Sequence, residues 1–148
     1  CELVARRALL IREFRYPQDY EQAAHLWQSM DKGVNFSRSD VPAEIEKKLT
    51  RDPDLFLVAE LEGELVGTVI GGFDGRRGMV YHLAVAAFHH RRGIADTLMR
   101  ELEKRLIAKG CIRSYLLVHA DNEEARALYE KNNWVLLDDD VVYSKDIA

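Results

Sequence analysis

Leu83-Ala84-Val85-Ala86-Ala87-Phe88-His89-His90-Arg91-Arg92-Gly93-Ile94-Ala95 joins an apolar run to a basic turn and then to the start of a helical pattern. From about Arg92 to Lys109 one stripe recurs at helical spacing: Ile94, Ala95, Leu98, Met99, Leu102, Leu106 and Ile107. Gly110 follows where a left-handed C-terminal cap belongs. The start of a helix leaves about four backbone N–H groups without internal partners, and the macrodipole adds roughly half a positive charge there. Such a place holds phosphate. Gly93 lets a diphosphate reach the backbone without meeting a Cβ, and Arg91 and Arg92 add flexible positive charge. The competing reading of the same residues is a solvated surface turn.

Upstream, Leu9–Phe14 reads as a strand. Asp19 with Gln22 has capping-box spacing ahead of Ala23, Leu26, Trp27 and Met30, a helical stripe. A polar stretch, Asp31–Ser39, separates it from a second short helix that opens at Asp40 and Pro42 and runs to about Leu49. Leu55–Leu61 and Leu65–Ile70 flank Glu62-Gly63-Glu64, the pattern of a hairpin, and Gly71-Gly72 and Asp74-Gly75 end the second run. Met79–Val85 is the next strand. Downstream, Ile112–Val118 reads as a strand, and Asp121 with Glu124 caps a helix carrying Ala125, Leu128 and Tyr129 on one face. Trp134–Leu137 and Val141–Tyr143 are expected to close the chain as strands. The order βααβββαβαββ implies one three-layer α/β domain over residues 1–148, a mixed sheet flanked by helices.

The 148 residues are 47% apolar and 31% charged, ordinary for a soluble domain. No apolar run approaches the roughly 20 residues that span a bilayer, and Cys1–Ile11 is too short and charged for a signal peptide. The net charge of −4, with Lys and Arg dispersed, argues against a nucleic-acid partner. Cys1 and Cys111 make no disulfide framework, which fits reduced thiols and a cytoplasmic setting. Metal-ligand spacing, a Gly-x-Ser-x-Gly elbow, a dinucleotide fingerprint and a P-loop are all absent from the sequence.

His90-Arg91-Arg92-Gly93-Ile94-Ala95 resembles motif A of the GNAT superfamily, the Gcn5-related N-acetyltransferases, Gln/Arg-x-x-Gly-x-Gly/Ala after a strand ending in Val. It departs at His90, and Ala87 stands where a proline is common. Asn122-Glu123-Glu124-Ala125-Arg126-Ala127-Leu128-Tyr129-Glu130-Lys131-Asn132-Asn133-Trp134 is similar to motif B, with Asn133 in place of its glycine. Leu65-Val66-Gly67 looks like the strand before motif A.

The resemblance implies direct transfer of an acetyl group from acetyl-CoA to an amine, without a metal, by a monomer or homodimer. Leu83, Ala84 and Val85 would lend backbone to the pantetheine arm, and one N–H would polarise the thioester carbonyl. His90, Arg91, Arg92, Gly93, Ile94 and Ala95 would hold the diphosphate, and Asn122 would also touch the cofactor. Tyr129 matches the family's general acid; the rival reading is a packed tyrosine. The carboxylate bases of relatives fall here on Tyr81 and Leu117, so His82, His119 or a water chain remain as routes for the amine's proton. The acceptor is expected to meet Tyr16–Asp40, with Trp27, Asn35 and Phe36 as wall residues, although an amphipathic helix explains Trp27 equally well. A non-catalytic acyl-CoA sensor is the alternative function.

Overall fold

The structure, a computed structural model, describes residues 9–30, 34, 36–87 and 93–148. Strand β1 (Leu9–Glu13) is followed by helices α1 (Tyr20–Ser29) and α2 (Pro42–Arg51), then β2 (Phe56–Leu61), β3 (Glu64–Phe73) and β4 (Gly78–Val85). Helix α3 (Ile94–Ala108), β5 (Ser114–Leu116) and α4 (Glu123–Lys131) complete the regular elements. Among the described residues the five strands form one sheet in chain order, antiparallel from β1 to β4 and parallel between β4 and β5. This is the mixed α/β architecture expected.

The sheet is buried on both faces, which is why β2 reads as an unbroken apolar run. Phe56 and Val58 join Ala23, Leu26, Trp27 and Ile45 in a core beneath α1 and α2. Leu57 and Ala59 join Val69, Leu98, Met99 and Leu102 in a second core beneath α3. Three layers result. Helix α3 seats directly on β3, where a Cβ at Gly71 would lie 2.5 Å from Leu102 Cδ1. That close approach accounts for Gly71, and β3 runs on through both glycines to Phe73 rather than ending at them.

Other expectations are corrected. Asp19 precedes α1 but makes no side-chain cap. Its carboxylate takes both Arg12 guanidinium nitrogens at 2.7 and 2.9 Å and the Arg15 N–H at 2.7 Å. Gln22 is also diverted, accepting from Leu65 N. The order therefore ends βααβββαβα: Trp134–Leu137 and Val141–Tyr143 form no strands. Val135, Leu136, Val141, Val142 and Tyr143 are exposed. Three adjacent like charges, Asp138-Asp139-Asp140, divide these short runs, and the three-residue β5 offers little edge to pair with.

Candidate active site

Strand β4 is irregular on both edges. Against β3, Thr68 faces Ala84 and Ile70 faces Tyr81, so β4 carries one extra residue, a bulge. His82 lies in it with φ 49°, a left-handed conformation. On the other edge, pairing with β5 stops at Val80–Leu116 although β4 continues to Val85. The sheet thus opens alongside the last five residues of β4. Leu83 is half-buried, while Ala84 and Val85 are buried in opposite cores. Their side chains are committed to packing, so backbone is what this part of β4 can offer a ligand.

Beyond the opening, Gly93 caps α3 with φ 76° and no side-chain cap. The first turn closes through Thr97 N–H and Thr97 Oγ1, which both donate to Gly93 O. The N–H groups ahead of Thr97 point out of the helix end. Among the described residues, a Cβ at Gly93 would meet nothing within 4 Å. Ile94 is buried and Ala95 half-buried. His90, Arg91 and Arg92, with Asn35, lie outside the described residues.

Helix α4 is held against the same end of α3. Asn132 Nδ2 donates to Asp96 Oδ1 at 2.8 Å, a tie between the two helices that the sequence did not reveal. Asn133, where motif B has glycine, adopts a left-handed conformation, φ 70°. The N-cap is Asn122 rather than Asp121: its side chain accepts from Ala125 N at 3.2 Å. Tyr129 packs edge-on against Trp134, ring centroids 6.2 Å apart, beside the core that holds Val85 and Ile94.

Burial pushes the Tyr129 phenol up to about 12, so it stays protonated at any working pH and acts as a donor, never as a base. Full proton transfer to a thiolate, whose thiol has a pKa of about 8.5, is uphill; a strong hydrogen bond to it is not. The same burial has a stability consequence. A folded-state pKa above the unfolded value of about 10 contributes fully below pH 10 and is lost as pH rises through 12, about 2–3 kcal/mol. Urea titrations between pH 8 and 12 should show this decline, and Tyr129→Phe should be markedly flatter. Equal slopes would place the phenol in solvent.

On the α2 side of the sheet lies a cavity of about 810 Å³, whose lining includes Asp40, Lys48, Arg77, Tyr81, His82 and Tyr115. His82 Nε2 lies 2.7 Å from Asp40 Oδ1. Asp40 is 3% exposed and closes a capping box with Ser37, the side-chain oxygen accepting Ser37 N–H at 3.0 Å. Burial raises the Asp40 pKa, but the His82 bond and charge and the Ser37 N–H outweigh it and hold the carboxyl below its usual range. Behind His82, Trp27 Nε1 donates to Thr68 Oγ1 and Thr68 Oγ1 donates to His82 O, both at 2.9 Å.

Trp27 is therefore not a wall residue: it is fully buried, with its ring 4.9 Å from that of His82. Phe36 is half-buried against the α1–α2 core and does not line the cavity. His119 is exposed and also outside the lining. Tyr81 is partly exposed at the cavity wall, whereas Leu117 is exposed and outside it. Sequence reading missed Asp40, Thr68, Lys48 and Arg77; Ser37-x-x-Asp40, read as a capping box, would have flagged the first.

Residues 20–134 match the profile described as "Acetyltransferase (GNAT) family". An acetyltransferase of Sodalis glossinidius is 43% identical over 135 residues, covering 91% of this chain and 93% of that protein. Among solved structures, the Ard1 protein of Thermoplasma volcanium superposes with a TM-score of 0.76 at 26% identity, over 86% of this chain and 83% of that one. A PaiA N-acetyltransferase of Thermoplasma acidophilum, solved with coenzyme A, shares the fold with a TM-score of 0.70 at 19% identity, over 84% and 87% of the two chains.

Proposed function

Because the chain belongs to the acetyltransferase (GNAT) family, we propose that it takes the acetyl group of acetyl-CoA and passes it to a primary amine by direct attack. The acceptor is a small molecule or a peptide. The observation that carries this reading is the opening beside β4, which has the uncapped α3 start at one end and the cavity along its α2 face. Acetyl-CoA supplies an activated acyl carbon and a thiolate leaving group.

This chain's residues bind and orient it. The Leu83-Ala84-Val85 backbone lies along the pantetheine arm, and one of its N–H groups polarises the carbonyl oxygen. The N–H groups of Gly93, Ile94 and Ala95 face the diphosphate, and the likeness to motif A assigns His90, Arg91 and Arg92 to the same ligand. Asn122 caps α4 near the arm. Tyr129 donates a hydrogen bond to the departing sulfur.

Thiol release from acetyl-CoA, measured across polyamines, amino acids, aminoglycosides and peptide N-termini, tests the reaction. At least one amine should accelerate release and appear acetylated by mass spectrometry. Binding of coenzyme A with no transfer to any amine would favour the sensor instead. With an acceptor in hand, Tyr129→Phe should lower kcat about 100-fold with little change in KM, the worth of a hydrogen bond made in the transition state. Phe fills the same space, so packing alone leaves kcat where it was.

A further inference from the structure

We propose that Asp40 and His82 form a dyad in which the His82 ring takes the proton from the acceptor amine and Asp40 fixes which ring nitrogen is free to take it. The proposal rests on the acetyl-transfer reading above. A protonated alkylamine has a pKa near 10 and must lose a proton before it can attack, so a proton acceptor positioned beside it assists the reaction.

The other acidic groups on the cavity wall are engaged or unsuitable. Asp52 takes Lys48 Nζ at 2.8 Å and Arg51 Nε at 3.3 Å. Glu44 is paired with Lys47 at 2.8 Å. Asp74 accepts the N–H groups of Arg76 and Arg77, which hold its carboxyl below the usual range. Tyr81, pushed up by partial burial, stays protonated. Arg77 donates to the Tyr115 hydroxyl and, like Lys48, has no proton-accepting atom while charged. His82 is the remaining lining side chain whose ring offers a nitrogen lone pair as a proton acceptor.

Its geometry is specified unusually tightly. The bulge turns residue 82 out of the strand's alternation, and the Thr68 hydroxyl and the Trp27 ring fix its carbonyl and its ring. Tyr20 OH donates to Asp40 O at 2.8 Å and anchors the turn from the α1 side. Because the Asp40 carboxyl is ionised, Nε2 of His82 carries the hydrogen toward it, and in the neutral ring Nδ1 keeps the lone pair.

The step balances. Nδ1 removes one proton from the ammonium and later returns it to water. The freed lone pair forms the amide bond as the carbon–sulfur bond breaks, and a second nitrogen-borne proton ends on the sulfur. The sum is amide, thiol and one released proton. His82 is the base; Asp40 acts through it as a positioning residue.

Asp40→Asn separates this role from simple bracing. Ser37 N–H already requires an acceptor at residue 40, so the new amide must direct its NH₂ at His82 Nε2. Both hydrogen bonds survive, but the ring is forced to carry its hydrogen on Nδ1, where it cannot take a proton. In the parent, ¹⁵N NMR of the neutral His82 ring should show the hydrogen on Nε2; in Asp40→Asn it should move to Nδ1. Turnover should fall about 100-fold with KM and coenzyme A protection retained, the usual scale for a positioned base.

His82→Asn, a residue that tolerates positive φ, should lose a similar factor, and the double variant little more. A parent with the hydrogen on Nδ1, a tautomer-shifted Asp40→Asn with full kcat, or a folded His82→Asn with full kcat would each overturn the dyad while leaving acetyl transfer intact. A parent inactive with every amine would sink both.

Discussion

Gly93→Val should lose most of the thermal protection that coenzyme A gives the parent, while its apo form still folds cooperatively. Two effects add at this position. Gly93 has φ 76°, where an L-residue costs roughly 1–2 kcal/mol, so the apo Tm should drop by several degrees. The new side chain also adds bulk at the start of α3, where, among the described residues, nothing lies within 4 Å of the Cβ position. Saturation at 100 times Kd would stabilise the parent by about 2.7 kcal/mol, so its disappearance is easily read by differential scanning fluorimetry.

Gly63→Val is the matched control. Gly63 has φ 84° and, among the described residues, nothing within 4 Å of its Cβ position, but it sits in the β2–β3 hairpin and is not among the residues assigned to the cofactor. It should cost comparable stability and keep the full shift with coenzyme A. If Gly93→Val kept that shift too, the diphosphate would have to bind elsewhere.

Trp27→Ala should be the most destabilising of the substitutions considered, by about 3–5 kcal/mol. The indole is fully buried, with its centroid 6.2 Å from Phe56 and 4.9 Å from His82. Against a typical domain stability of about 5–15 kcal/mol this approaches unfolding near 37 °C. Trp27→Phe keeps most of the volume but removes the donor to Thr68 Oγ1, so it should cost about 1–2 kcal/mol by urea denaturation. A loss below about 1 kcal/mol in Trp27→Ala would mean the surrounding core collapses onto the gap.

Elements whose period is enforced by a core were legible from sequence; groups whose partners lie far along the chain were not. The stripe from Ile94 to Leu106 announces α3 because each member meets the same sheet face. The Phe56–Ala59 run announces a strand because cores press on both sides of it. Asp19 deceived because its spacing to Gln22 fits a cap, while Arg12, seven residues back, takes its carboxylate. Trp27 deceived differently: helical position put it on the inner face but could not distinguish a core from a cavity wall. Asp40 and His82 stand 42 residues apart and meet only through a bulge, and one extra residue in a strand leaves no periodic mark. Gly93 and Tyr129 are singled out by their motifs, and the structure adds an open Cβ position among the described residues for one and the burial of the other.

The bulge in β4 also changes the strand's parity. Val80 and Val85 enter the same core beneath α3, although residues five apart on a regular strand point to opposite faces. One half of β4 therefore counts in even numbers and the other in odd, and residue 82 sits at the seam between them. Removing a residue there would throw one valine into the wrong layer, so the two cores together lock the insertion in place. The side chain at the seam is bound by neither count. It turns instead to the Trp27 ring and the Asp40 carboxylate, so the irregularity itself, and not the strand's alternation, decides where this side chain goes.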